Sequence, residues 1–434
     1  MSTINTREIV LDCLLEILEK KQYSHYVIKQ VLDKYGYLDK KERSFIKRVT
    51  EGCIERCIEL DYILDSFSKV PAKKMKPLIR NLMRMSVYQI FYMDGTPDSA
   101  VCNEAVKLAG KRGFSSLKGF VNGVLRNIAR NKDAVAYPDK EKDLTAYLSV
   151  TYSMPQWIVT LWTERFGTEK AEQILQGLLT ERPVTVRVEE SLDREKKEQL
   201  LKEMEEAGIA YTQVKDLSYA YELQNVDRVE MLPGFAEGLL MVQDAGSMAI
   251  IEAAEIQKNQ NIIDVCGAPG GKAIHAAGKM QNTGFVTVRD ISERKVGIME
   301  GNIVRSGYTN MKAEVFDATV LDENNIEKAD VVIADLPCSG LGVIGRKADI
   351  KYRVQPEDIT SIATLQREIL SVVWQYVKPG GKLVYSTCTL TEEENEQNAA
   401  WFEQQYPFEK VKERMLIPGV DGTDGFYMAV FVRK

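Results

Sequence analysis

From about residue 236 the chain repeats one pattern. Short apolar, β-rich runs ("NIIDV", "GFVTVRD", "MKAEVFD", "KADVVIADLP" and "GGKLVYSTC") alternate with helical stretches. Runs that are apolar on both sides of the pleat must be covered on both faces, and parallel strands need a crossover between them. The alternation therefore predicts a parallel sheet with helices on both faces, a Rossmann-like α/β domain over 236–434. A helix at 392–405 and a strand in "FYMAVFVRK" close it. In such sheets ligands bind at the carboxyl ends of the strands, so the residues after each run are the candidates for chemistry.

What precedes is different in kind. Residues 7–18 carry Ile9, Val10, Cys13, Leu14, Ile17 and Leu18 at helical spacing, and "LIRNLMRMSVYQIFYM" is apolar around most of its circumference, as a central bundle helix would be. Cys53 and Cys57 fall on the apolar stripe of "RSFIKRVTEGCIERCIEL" and read as core rather than metal ligands. "VCNEAVKLAGKRGFSSLKGFVNGVLRNIAR" gives two amphipathic helices around a Gly/Ser turn, with Lys111, Arg112, Lys118, Arg126 and Arg130 unopposed by any acid after Glu104. Residues 1–140 thus read as an all-helical bundle, ended by the charged, non-periodic "NKDAVAYPDKEKD". Over 145–235, helical "PQWIVTLWTERFG", the strand "PVTVRV", a charged helix at 193–207 and the strand "IAYTQV" read as a small α/β module.

Totals narrow the function. The net charge of −6 is unevenly placed: residues 1–140 hold 25 basic and 17 acidic side chains, the remainder 32 and 46, so a polyanion-binding front end is joined to an acidic partner. Seven cysteines without regular spacing argue for reduced thiols, and only two histidines, His25 and His275, disfavour His-based metal sites or Cys/His pairs. "MSTINTREIVLDCLLEILEK" lacks the features of a leader, and no apolar run is long enough to span a bilayer. The expectation is a cytoplasmic monomer that binds neither metal nor membrane.

The residues after the strands then define a chemistry. "DVCGAPGGKA" supplies a loop, Cys266, Gly267, Ala268, Pro269, Gly270, Gly271 and Lys272, whose backbone admits close approach and whose following helix offers N–H groups to an anion. Pro269 removes a donor that a pyrophosphate would want. Asp290 follows the second run and can accept both hydroxyls of a ribose, while Asp317 follows the third and can receive the adenine amine. The alternative for each acid alone is a helix cap; together they fit an adenosine bearing a carboxylate rather than phosphates, S-adenosylmethionine. After the fourth run comes "ADLPCSGLGV" and after the fifth "YSTCTLTEEENE", which would bring Cys338 and Cys388 together. Two thiols suit a methyl acceptor that is not nucleophilic by itself, such as C5 of a pyrimidine, where a thiolate adds first to C6. Asp335 can hold the cytosine edge, and Lys272 or a helix N-terminus can favour the thiolate.

"DVCGAPGGK", "DLPCSGLGVIGRKADIKYR" and "YSTCTLTEEENE" resemble the motifs of the Sun-type RNA (cytosine-5) methyltransferases, and "CNEAVKLAG…FVNGVLRNI" resembles the NusB-like RNA-binding domain fused ahead of some of them. The resemblance covers essentially the whole chain. It implies a cofactor site from Cys266 to Lys272 with Asp290, Asp317 and Asp335, Cys388 as nucleophile, Cys338 as the thiol assisting release, and cytosine 967 of 16S ribosomal RNA, in conventional numbering, as substrate. Another ribosomal or transfer RNA position, and a non-catalytic RNA-binding assembly factor, are the alternatives. Two departures stand out: Gly267 where such proteins often have alanine, and Arg289 ahead of the ribose acid.

Overall fold

The computed structural model describes residues 5–434; residues 1–4, the start of the stretch read as lacking a leader, lie outside it. The chain forms two compact units, one of residues 1–180 with 344–353, the other of 181–343 with 354–434.

The first unit is helical. Asn5 caps the helix Thr6–Leu14 by accepting from the amides of Arg7 and Glu8, and Asp39 opens Lys40–Glu55 with a reciprocal capping box to Glu42. The helix Pro77–Tyr92 buries residues on all sides, as its composition predicts. Cys53 and Cys57 are buried free thiols in the core, where the apolar stripe places them.

One expectation needs correction. Lys111 and Arg112 are not unopposed: Glu8 and Asp12 of the first helix meet them at 2.5 and 2.7 Å. Sequence neighbours could not reveal these partners, which come from a hundred residues away. Lys118, Arg126 and Arg130 do stand exposed on the helix Lys118–Arg130. The segment after 131 is tied to the bundle. Tyr137 donates to Glu59, Tyr62 donates to the Ala136 carbonyl, and the Ile58 amide donates to Ser153 Oγ, so the helices up to Leu179 group with the front bundle rather than with the middle module.

The same unit takes in ten residues from far downstream. In the short turn Ala348–Tyr352, Lys351 Nζ donates to the Glu55 carbonyl (2.7 Å) and Tyr352 Oη to that of Ile54 (2.9 Å). These are among the last carbonyls of helix Lys40–Glu55, which have no partner within the helix. Asp349 accepts from the Ser24 amide (3.2 Å) and hydroxyl, and Lys351 is 1% exposed.

The second unit holds two sheets. Strands β1 (Val184–Val188), β2 (Ala210–Gln213), β3 (Ala220–Gln224) and β4 (Leu240–Val242) form an antiparallel sheet in the order β2-β3-β1-β4. The pattern shows β1 and β2 around the helix Arg194–Glu206; β3, as long as β1 but mixed in composition, and the three-residue β4 do not stand out.

Strands β5 (Asn261–Asp264), β6 (Phe285–Asp290), β7 (Met311–Val315), β8 (Ala329–Asp335), β9 (Val377–Thr387), β10 (Phe408–Leu416) and β11 (Phe426–Arg433) form the larger sheet, in the order β10-β11-β9-β8-β5-β6-β7. Neighbours from β9 to β7 run parallel, and β11 and β10 are antiparallel additions. Alternate residues feed two cores: Ile262, Val331, Ile333 and Val384 on one face, Ile263, Val332, Leu383 and Tyr385 on the other. This two-sided burial explains why the runs read as continuously apolar. The order reverses around β5, with β6 on one side and β8 on the other, which opens a crevice at the carboxyl ends of β5 and β8.

Candidate active site

The loop after β5 is tied down by its backbone. The Gly267 amide donates to the Arg289 carbonyl (2.8 Å) and the Gly270 amide to the Gly267 carbonyl (2.6 Å). Gly270 has φ +100°, where a side chain would be strained, and the helix Gly271–Lys279 starts directly after it with no acid in its first turn. Its free N–H groups are open to an anion. The Pro269 carbonyl accepts from Asn302 (2.9 Å), which fixes the outer side of the turn beside Ala268. A Cβ on Gly267 would lie 2.6 Å from an Asp264 carboxyl oxygen and would also meet Val288, so the glycine lets the loop lie flat on the sheet. Under it, Asp264 is fully buried; burial pushes its carboxyl up to about 7 against the opposing pull of Lys272.

Asp290 ends β6 and Asp317 follows β7. Asp290 accepts from the Ser292 amide (2.9 Å) and pairs with Lys295 at 3.2 Å. Asp317 accepts from the Thr319 amide (2.9 Å) and hydroxyl (2.7 Å), bonds that hold its carboxyl below the usual range. Each acid shapes its own turn through one oxygen and keeps acceptor capacity for a ligand. Arg289 is 2% exposed, pairs with Glu314 (2.6 Å) and Asp322 (2.5 Å), and stacks over Phe316. It fastens β6 to the neighbouring edge and leaves Asp290 to the crevice.

β8 and β9 pair in register, Asp335 opposite Ser386, so the loops that follow them leave side by side. Asp335 accepts from Lys272 Nζ (2.6 Å) and Ser386 Oγ (2.8 Å). Burial opposes the Lys272 charge, but Asp335, Asp264 and Cys388 outweigh it and keep its pKa above the usual value. Cys338 Sγ lies 3.2 Å from Cys388 Sγ and accepts from the Cys388 amide at 3.3 Å. The hydrogen bond to Cys388, then burial, push the Cys338 thiol well above its ordinary range, with Glu394 adding to the effect. The expected convergence of the two thiols, Asp335 and Lys272 is therefore present, at the end of the sheet where the glycine loop and Asp290 also lie.

Sequence reasoning missed what holds the thiols in place. Of the acids in "TEEENE", Glu394 turns inward and is 0% exposed. It accepts from the Ser339 amide (2.7 Å), Ser339 Oγ (2.6 Å) and Thr391 Oγ1 (2.6 Å), and Ser339 Oγ also meets Thr389 Oγ1 at 2.6 Å. Asn395 bridges Thr387 Oγ1 and the Thr389 carbonyl, on either side of Cys388. Gln366 donates to the Pro337 carbonyl at 2.8 Å. The helical spacing of Glu394 and Asn398 offered one faint cue: Asn398, too, faces inward, toward Gln366.

A parallel sheet with its glycine loop, two acids and a helix N-terminus at the switch point has the form of an S-adenosylmethionine-dependent methyltransferase, and the residues present fit an adenosine with an amino-acid tail. Comparison with known proteins agrees. Family models match residues 4–130 (NusB family), 154–230 (Methyltr_RsmF/B-like, ferredoxin-like domain) and 251–432 (16S rRNA methyltransferase RsmB/F). The "Probable ribosomal RNA small subunit methyltransferase B" of Bacillus subtilis is 34% identical, with 100% of both chains covered. The ribosomal RNA small subunit methyltransferase B of Klebsiella pneumoniae is 28% identical over 99% of each. A solved methyltransferase homolog protein from Pyrococcus horikoshii, 24% identical, shares the fold at a TM-score of 0.60 over 68% of this chain and 100% of its own. The chain belongs to the ribosomal RNA small subunit methyltransferase B family, an RNA methyltransferase family that uses S-adenosylmethionine. Among the described residues no helix is long and apolar enough to cross a membrane.

Proposed function

We propose that this chain methylates C5 of a cytosine in 16S ribosomal RNA, cytosine 967 in conventional numbering, through a transient bond between Cys388 and C6 of the base. The observation that carries the reading is the pair of thiols 3.2 Å apart beside the Lys272–Asp335 pair. The relatives' names, ribosomal RNA small subunit methyltransferase B, support the RNA substrate.

S-adenosylmethionine supplies, when bound, a methyl group on a positively charged sulfur. Cys266 to Lys272 receive its amino-acid end, Asp290 its ribose and Asp317 its adenine. The Cys388 thiolate adds to C6; the S–C6 bond forms, and the electron pair of the C5=C6 double bond becomes available at C5, which takes the methyl. Asp335 accepts from the cytosine N4 amine and holds the ring edge as charge develops. Loss of the C5 proton to a water molecule acting as base then re-forms the double bond, breaks S–C6 and returns Cys388 as thiolate, with the S–H of Cys338 assisting this release by donating to the departing sulfur. The exposed cations of the helix Lys118–Arg130 contact RNA phosphates, and extraction of a stacked base costs a few kcal/mol that these contacts offset.

The test is incubation of the full chain with S-adenosylmethionine and unmodified 16S RNA, followed by mapping of 5-methylcytosine. A single new mark at the stated position is expected; a mark elsewhere, or none, overturns the assignment. Cys338→Ala should accumulate a denaturant-resistant protein–RNA adduct, and its absence overturns the division of labour between the thiols.

A further inference from the structure

Resting on that division of labour, we propose that Glu394 is the positioning residue that keeps Cys338 in its releasing role, by clamping the loop on which Cys338 sits to the loop that carries Cys388. Three hydrogen bonds from Ser339 and Thr391 end on its carboxyl, and the Ser339–Thr389 contact continues the chain to the residue beside Cys388. Residues adjacent to both thiols in sequence are thus joined through one buried group.

With Glu394 ionised, the network has one consistent polarity. Ser339 Oγ gives its single proton to Glu394 and accepts from Thr389, while the Ser339 amide and Thr391 Oγ1 also donate to the carboxylate. The Ser339 amide and Gln366 Nε2 (3.5 Å) can only donate to Glu394, and with the two hydroxyls at 2.6 Å they make a surrounding that suits an acceptor-only carboxylate. No cation pairs with Glu394 among the described residues, so these hydrogen bonds oppose the burial that raises its pKa. Its negative charge in turn disfavours a second anion on Cys338. Cys338 therefore stays a neutral thiol next to Cys388, and the nucleophile and the proton-bearing thiol are not interchangeable.

The experiment compares adduct formation and adduct release in single turnovers of full-length wild type, Glu394→Gln, Cys338→Ala and the double variant. Gln keeps the shape but presents an amide N–H to hydroxyls that were donating. With Glu394→Gln, release should slow about tenfold or more while formation changes less than about threefold, and the pH profile of release should move. In the Cys338→Ala background the same substitution should add nothing, because the group it acts through is gone. Equal slowing of both steps, or an undiminished effect in the double variant, overturns the proposal for Glu394 alone. If Cys338→Ala forms no adduct, the reading of the thiols fails and the proposal with it. Should Glu394→Gln fold poorly, Ser339→Ala, which removes one hydroxyl and keeps the amide contact, must show the same selective slowing of release.

Discussion

Replacing Lys351 with methionine should change the pH dependence of stability more than stability itself. Lys351 is 1% exposed, and burial lowers its pKa from 10.5 to about 7, with Glu55 pulling the other way. Between these two values the unfolded chain binds a proton that the folded chain does not, so wild-type stability rises with pH across the window, by at most about 1.4 kcal/mol per unit. The full excursion would approach about 5 kcal/mol. The carbonyls at the end of helix Lys40–Glu55 favour the ammonium and would trim this by up to about 2 kcal/mol. Methionine has no such proton. Urea unfolding of the full chain from pH 6.5 to 9.5, read by hydrogen exchange in peptides of helix Lys40–Glu55, should show wild type gaining on Lys351→Met by roughly 2 kcal/mol or more between pH 7 and 9. The lost bond to the Glu55 carbonyl gives only a constant offset. A difference between the two proteins that stays flat across this range would refute the assignment of a buried, largely neutral lysine.

Cys388→Ala should abolish transfer of a labelled methyl group to RNA while leaving cofactor binding by calorimetry unchanged; residual turnover near wild type would remove Cys388 from the chemistry. Asp290→Ala should weaken binding of S-adenosylhomocysteine by about tenfold or more, the order expected for a lost charge-assisted hydrogen bond, as read by the same calorimetry. Arg289→Met should cost roughly 3–5 kcal/mol of stability in urea, because Glu314 and Asp322 lose their shared cation. Lys118→Ala with Arg126→Ala should weaken RNA binding uniformly across sequences and lower the slope of log affinity against log salt by about 1–2, measured by filter binding.

The alternating runs announced β5 to β9 because strands buried on both faces have little choice of composition, and the residues after them follow from the rule that sheets bind ligands at their carboxyl ends. Cys338 and Cys388 could be paired in advance for the same reason. The strand β10 escaped because "FEKVKERML" is an edge strand, and edges carry the charges that otherwise mark helices or loops. Glu394 escaped because its burial is decided by Ser339, more than fifty positions earlier in the chain; three acids in a row look like a solvated face until their partners are placed. Lys111 and Arg112 were misread for the same reason. Local pattern reports periodicity and propensity, whereas neutralisation of a charge is a property of contacts that the fold alone brings about.

The ten residues around Lys351 have a consequence for how the molecule can be cut. A fragment ended near residue 180 would keep every helix of the front bundle yet forfeit Asp349, Lys351 and Tyr352, exposing the Ile54 and Glu55 carbonyls and the Ser24 amide. The bundle is therefore not a detachable cassette, and a graft of it onto another enzyme would have to bring along residues 344–353 from much later in its own gene. Truncations intended to isolate it are better made as two co-expressed pieces than as one.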